Sequence, residues 1–228
     1  ILYLISLYSI KVILFLQMFQ FIFSILLLFA SFNIEENSFE GSINIVKKNP
    51  YSTLFYTYRV KGSNVRVDEY DISKKLLKSL LINIEDESIV VLNVHNKEYV
   101  NIEIKSIDYN LENYFVIKTE NHRVVNGYKC YQWRVKNRKK NTEIAFWVIN
   151  NDFYFYRELV SLLNRTNKDF EFFSRIYETE GFFPMLTVER TLLRKEKKRT
   201  EVLRIKNEKI NKSVFEIPAG YEKIQLSR

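Results

Sequence analysis

Residues 55–71 read FYTYRVKGSNVRVDEYD, and this stretch decides the fold. Apolar and polar side chains alternate with period two on both sides of Gly62-Ser63-Asn64, and residues of these types accept the positive φ of a tight turn. The pattern predicts a β-hairpin, and a tight connection makes its two strands antiparallel neighbours.

The same period extends outward in both directions. Upstream, Phe39, Gly41, Ile43 and Ile45 share one face while Glu40, Ser42 and Asn44 share the other, which predicts a half-buried strand. Downstream, residues 80–84, 89–93 and 98–104 continue the meander, separated by Glu85-Asp86-Glu87 and His95-Asn96-Lys97. A second series runs through 115–119, the turn Asn126-Gly127, 128–136, the basic run KNRKK at 136–140, and 142–149. Asn-Gly between two strand-like runs is the strongest short hairpin signal in the chain. Within 128–136, Tyr131, Trp133 and Val135 point one way and Tyr128, Cys130, Gln132 and Arg134 the other, so both faces carry apolar bulk. The last strands are expected at 186–193, 201–206 and 214–217, with a second basic run, RKEKKR, at 194–199.

Period two breaks once, at about 152–180. Phe155, Leu159, Leu162 and Leu163 fall at i, i+4, i+7 and i+8, and Phe170, Phe173 and Tyr177 at i, i+3 and i+7, so two short helices are expected. Thr166 followed by Asp169 reads as a capping box opening the second. A mainly β, α+β domain results, an antiparallel sheet of about nine strands with helices on one side.

The front end is different in kind. Residues 12–32 carry no charge, and Lys11 is the only charged residue before Glu35. Residues 1–34 therefore read as a signal peptide or an N-terminal membrane anchor, and residues 35–228 as a single exported domain. No cysteine follows the apolar run, which excludes acylation at that point, and Cys130 is the only thiol. An intramolecular disulfide is therefore impossible, and burial must supply the stability.

The net charge is +8, spread along the chain and densest in the two basic runs. Solvated hairpin turns account for those runs; an anionic membrane surface is the competing reading. Nucleic acid is not expected as a partner, because no recognition motif accompanies the charge. His95 and His122 have no second ligand at metal spacing, and both read as solvated turn residues. Asp68, Glu69 and Asp71 sit on a strand whose adjacent positions face opposite sides, so they do not form a converging carboxylate pair. No glycine-rich phosphate loop occurs, and no cofactor and no catalysis are expected. The aromatic content, 18 Phe, 15 Tyr and 2 Trp, is concentrated in the helical insert.

Several segments in order resemble an uncharacterised bacterial family with a LolA/LolB-like fold, that of periplasmic lipoprotein carriers. They are residues 39–43, Tyr58-Arg59-Val60-Lys61-Gly62 with Val65-Arg66-Val67, residues 89–99, Asn126-Gly127-Tyr128-Lys129-Cys130 leading to 143–148, and residues 215–221. The resemblance implies a curved antiparallel sheet, a half barrel, with helices over its concave side, and an acyl chain or other apolar ligand held there. It carries no catalytic residues. A structural or protein-interaction module of the cell envelope, without a small ligand, is the alternative. If the helices cap the concavity, Phe155, Leu159, Leu163, Phe170, Phe173 and Tyr177 bound a cavity facing Trp133 or Trp147.

Overall fold

The computed structural model describes Gln20 and residues 38–104, 113–166 and 168–225. The chain divides into two units, Ile1–Asn37 and Ser38–Arg228. Apart from Gln20, the expected signal or anchor lies outside the described residues. Among the described residues no helix is long and apolar enough to cross a membrane.

The hairpin that decides the fold forms as its sequence requires. β2 (Thr53–Lys61) and β3 (Asn64–Tyr70) pair antiparallel, Tyr58 opposite Val67 and Tyr56 opposite Glu69, with Gly62 at φ 56° in the turn. β1 (Gly41–Lys48), β4 (Leu76–Asn83), β5 (Ser88–Asn93) and β6 (Glu98–Asn101) extend it as a meander. The second series is β7 (Tyr114–Val125), β8 (Tyr128–Asn137), β9 (Thr142–Asn150), β10 (Phe182–Arg190) and β11 (Glu196–Asn207). β1 joins β11, fusing both series into one open sheet, and β12 (Glu222–Lys223) adds in parallel to β6.

Among the described residues the sheet therefore has twelve strands rather than the expected nine, in the order β12-β6-β5-β4-β3-β2-β1-β11-β10-β9-β8-β7. Residues 214–217 are not one of them. They fall in and after a 3₁₀ turn, Lys212–Phe215, where the Val214 carbonyl accepts from Arg66 Nη1 at 3.0 Å. That bond fixes the returning chain on β3 before it reaches the β6 edge.

One side-chain bond shows that the sheet curls. Asn126, at the tip of the β7–β8 hairpin, donates through Nδ2 to the carbonyl of Val202 on β11. In a flat sheet β8 and β11 would stand about 14 Å apart, three strand spacings. The bond is open to Asn126 because β10 pairs with β11 only from Leu186 onward, after an irregularity between Pro184 and Leu186. Pro184 sits where its missing N–H costs no ladder bond to β11.

One α-helix, α1 (Tyr154–Asn164), packs on the inner face. Phe155, Leu159, Leu162 and Leu163 are buried as their spacing predicts, and Tyr156 and Val160 widen the stripe. The expected second helix is absent. In its place stand two 3₁₀ turns, Lys168–Phe170 and Phe173–Arg175. Thr166 does not cap a second helix: its hydroxyl donates back to the Leu163 carbonyl at 3.0 Å and so finishes α1. The two turns let consecutive rings diverge, Phe172 edge-on to Tyr114 on β7 and Phe173 edge-on to Phe146 on β9.

The second basic run also departs from expectation. The turn ends at Lys195, with Thr191 N–H donating to its carbonyl at 2.8 Å, and β11 begins at Glu196. Lys197 and Lys198 are therefore strand residues, not turn residues.

Candidate functional site

Strand pairing assembles an amphipathic wall on the inner face. Ile45 lies opposite Tyr56, Tyr56 opposite Glu69, and Glu69 opposite Lys78, which forms one row across β1 to β4. Lys47 lies opposite Thr200, and Thr200 opposite Thr187, which lies opposite Phe146. Paired residues share a face, so these rows face α1 and the 3₁₀ turns together.

Between the rows and the helical segment lies a cavity of about 240 Å³. Ile45, Val67, Leu80, Ile144, Phe146, Phe183 and Pro184 supply its apolar sheet wall. Leu163, Phe170 and Phe173 close it from the helical side. Tyr56, Tyr58 and Tyr156 also line it. Burial pushes all three phenols above their ordinary range, and the Glu69 carboxylate adds to the rise at Tyr56 and Tyr58. They remain neutral hydroxyls at any physiological pH. Tyr156 is 8% exposed, and Tyr58 is half-buried.

Charged groups gather on the more exposed lining. Asp169, in the first 3₁₀ turn, accepts from Lys47 Nζ at 2.5 Å through Oδ2 and from Lys198 Nζ at 3.0 Å through Oδ1. Lys198 also lies 3.3 Å from Glu189, and Lys78 lies 3.2 Å from Glu69. Burial opposes ionisation of Asp169, yet Lys47 and Lys198 hold its carboxyl below the ordinary value.

Of the expected site residues, Leu163, Phe170 and Phe173 meet at this cavity. Phe155 and Leu159 do not line it: Phe155 packs in an aromatic cluster with Phe39, Phe153 and Phe183, and Leu159 is fully buried. Tyr177 is 68% exposed and borders a second hollow of about 310 Å³ with Arg157 and Val160 of α1. Trp133 pairs with Phe146 but packs against Phe182, with ring centroids 4.6 Å apart and planes tilted at 49°, beyond the cavity. Trp147 lies opposite Gln132, on the other face, with the Arg123 guanidinium 5.2 Å from its ring.

The polar members were not singled out from sequence. Tyr56, Tyr58 and Lys47 fall in period-two stretches with Ile45, but which face is roofed is not a local property, and Lys198 lies in a basic run that reads as a solvated turn. Asp169 was assigned to a cap that does not form.

On the opposite face the three clustered acids separate as expected. Asp68 is 2% exposed and is held by Arg59, by Arg66 Nε at 2.8 Å and by the Ser79 hydroxyl at 2.5 Å. Glu69 faces the cavity, and Asp71 closes a turn by accepting from Lys75 N–H at 2.9 Å. Cys130 is fully buried, and burial pushes its thiol up to about 11. His95 is an exposed turn residue, whereas His122 lies within β7, exposed and 6.4 Å from the Tyr131 ring. Among the described residues no group of three or more His, Cys, Asp or Glu is placed to hold a metal ion.

A family model described as a domain of unknown function, DUF4412, matches residues 39–221, a span that contains every segment of the resemblance read from the sequence. No curated protein matches the chain. Among solved structures, a chain of the MucA/MucB complex of Pseudomonas aeruginosa aligns at TM-score 0.50 and 9% identity, over 81% of this chain and 58% of that one. An uncharacterized conserved protein from Thermus thermophilus aligns at 0.49 and 9% identity, over 83% and 92%. A putative outer membrane lipoprotein-sorting protein domain from Vibrio parahaemolyticus aligns at 0.31 and 8%, over 77% and 87%. At such identity the first of these shows a shared fold and nothing more.

Proposed function

From the premise that this chain belongs to the DUF4412 family of domains of unknown function, we propose that it is an exported, non-enzymatic protein that holds an apolar ligand between its sheet and α1. The observation that carries this reading is the cavity of about 240 Å³, walled by Phe146, Phe170, Phe173 and Phe183 and bordered by charge at its more exposed side. Ligand sites combine apolar walls with a few placed polar groups, and this arrangement fits that description. The uncharged run at 12–32 supports export and a site of action outside the cytoplasmic membrane. We assign no catalysis, since Asp169 and Glu69 are each engaged by lysines and Cys130 is a buried, protonated thiol.

The protein as purified should carry lipid detectable by native mass spectrometry. It should also enhance the fluorescence of N-phenyl-1-naphthylamine, an uncharged apolar dye, in a way that dodecanoate reverses. Phe170→Ala, at a half-buried wall position, should weaken dye binding at least about tenfold, or ~1.4 kcal/mol. Dye binding that is absent, or that is untouched by Phe170→Ala, would remove the reading.

A second reading, a protein-interaction module of the envelope, rests on β7. This edge strand exposes Phe115, Ile117 and Val124 at 51%, 49% and 67%, and its outer side pairs with no further strand among the described residues. Exposed edges accept a strand from a partner, and the fold also occurs in a chain of the MucA/MucB complex. Cross-linking from residue 115 to an envelope protein, lost when Ile117 is changed to Lys, is the result this reading expects.

A further inference from the structure

Resting on the reading of the cavity as an apolar-ligand site, we propose that its occupant is a single-chain amphiphile with an anionic oxygen head. The head, a carboxylate or a phosphate monoester, takes the place on Lys47 and Lys198 that Asp169 now holds.

The two lysines reach the same place from neighbouring strands. Lys47 of β1 pairs with Thr200 of β11, and Lys198 stands two residues from Thr200, hence on the same face. Their side chains are 25% and 23% exposed, at the transition from apolar wall to solvent. The carboxylate between them does not come from the sheet. It belongs to the 3₁₀ turn Lys168–Phe170, whose last residue lines the cavity. One turn thus places a carboxylate on the lysine pair and, next to it in the chain, an aromatic ring in the apolar wall. Those are the two ends of an amphiphile.

The two positions are mechanically coupled. A tail that displaces Phe170 drags Asp169, its chain neighbour, off both ammonium groups. Lys198 keeps Glu189 at 3.3 Å, whereas Lys47 has no other ion-pair partner among the described residues. A partly buried ammonium that loses its partner favours an incoming anion and repels a cation. The Tyr58 and Tyr156 hydroxyls add to this preference, because both residues line the cavity and can hydrogen-bond an occupant bearing oxygen.

The test uses the purified full chain and displacement of N-phenyl-1-naphthylamine by dodecanoate, dodecyl phosphate and dodecyltrimethylammonium, which share one tail. Either anion should displace the dye at a concentration at least about tenfold below that of the cation, the size of one charge-assisted hydrogen bond. Lys47→Gln with Lys198→Gln should abolish that preference, read as the ratio of the displacing concentrations of cation and anion on the same variant, and Lys47→Gln alone should lower it if the double variant does not fold. Asp169→Asn, which removes the internal competitor, should tighten dodecanoate severalfold relative to dodecyltrimethylammonium. No dye binding by the unaltered chain would end the carrier reading itself. Dye binding with equal displacement by all three amphiphiles would leave that reading standing and overturn this one. Inorganic phosphate that blocks dodecanoate as strongly as dodecyl phosphate does would reveal a free-anion site and likewise overturn it.

Discussion

Phe173 meets Phe146 edge-on, their ring centroids 5.2 Å apart and their planes at 80°. The contact joins the helical segment to the sheet floor, and Tyr156 meets Phe173 at the same 5.2 Å from α1. Phe173 is therefore wall and core at once, 4% exposed, while Phe170 is only half-buried.

That difference separates stability from binding. Phe173→Ala leaves a void between two layers and should cost about 3 to 5 kcal/mol in urea denaturation. Phe170→Ala should cost clearly less and report on ligand affinity instead. Equal losses from the two would mean that the turn is simple core packing.

A buried charge on the opposite face gives a second test. Asp68 sits between Arg59 and Arg66 and also accepts from Ser79, so its removal strands two guanidinium groups over a site that is 2% exposed. Asp68→Ala should destabilise by about 3 kcal/mol or more. Because Arg66 also holds the Val214 carbonyl, amide exchange should rise first in residues 212–215. Protection there as in the unaltered chain would show that Asp68 does not position Arg66.

Acid should act on the helical segment before the sheet. Burial opposes ionisation of Asp169 and Glu171, but Lys47 and Lys198 at the first, and Lys140 with the Tyr114 hydroxyl at the second, hold both carboxyls below their ordinary values. A carboxyl depressed in the folded state contributes stability that is present above its unfolded pKa and is lost as pH falls through the folded one. The melting temperature should hold from pH 7 to 5 and drop below about pH 4, and Asp169→Asn should flatten part of that drop. An unchanged profile in the variant would show that the Asp169 bridges do not stabilise the fold.

What could be read in advance follows from range. The hairpins of 55–71 and 126–148 were legible because alternation, Gly62 and Asn126-Gly127 are local signals. Leu163, Phe170 and Phe173 were legible as an apolar group because helical spacing marks a buried stripe even where, past Thr166, the backbone turns as 3₁₀. Trp133 and Trp147 were misplaced because register decides them: one side chain sits beside Phe182 and the other on the far face. Lys47, Lys198 and Asp169 are 29 to 151 positions apart and meet only through the β1–β11 pairing, which no window of sequence contains.

The β1–β11 seam itself rests on one missing side chain. Gly41 opens β1 opposite Asn207, and a Cβ at that position would overlap the carbonyl oxygen of Lys206. The obstacle is backbone inside a strand pair, so no flexible side chain can yield; β1 or β11 must move. Among the described residues that seam is the one strand pairing between the two meanders, because β1 and β11 are neighbours in the sheet and the order is open at both ends. Gly41→Ala should therefore destabilise well beyond the ordinary surface range of about 0.5 kcal/mol. Hydrogen exchange should show lost protection at Ser42–Asn44 and Arg204–Lys206 while the β2–β3 and β8–β9 hairpins stay protected. It should also shrink the preference for dodecanoate over dodecyltrimethylammonium, because Lys47 and Lys198 lie on either side of the same seam. A Gly41→Ala protein with unchanged stability and exchange would show that β1 and β11 slide apart freely there, and the lysine pair could not then be a fixed element of the site.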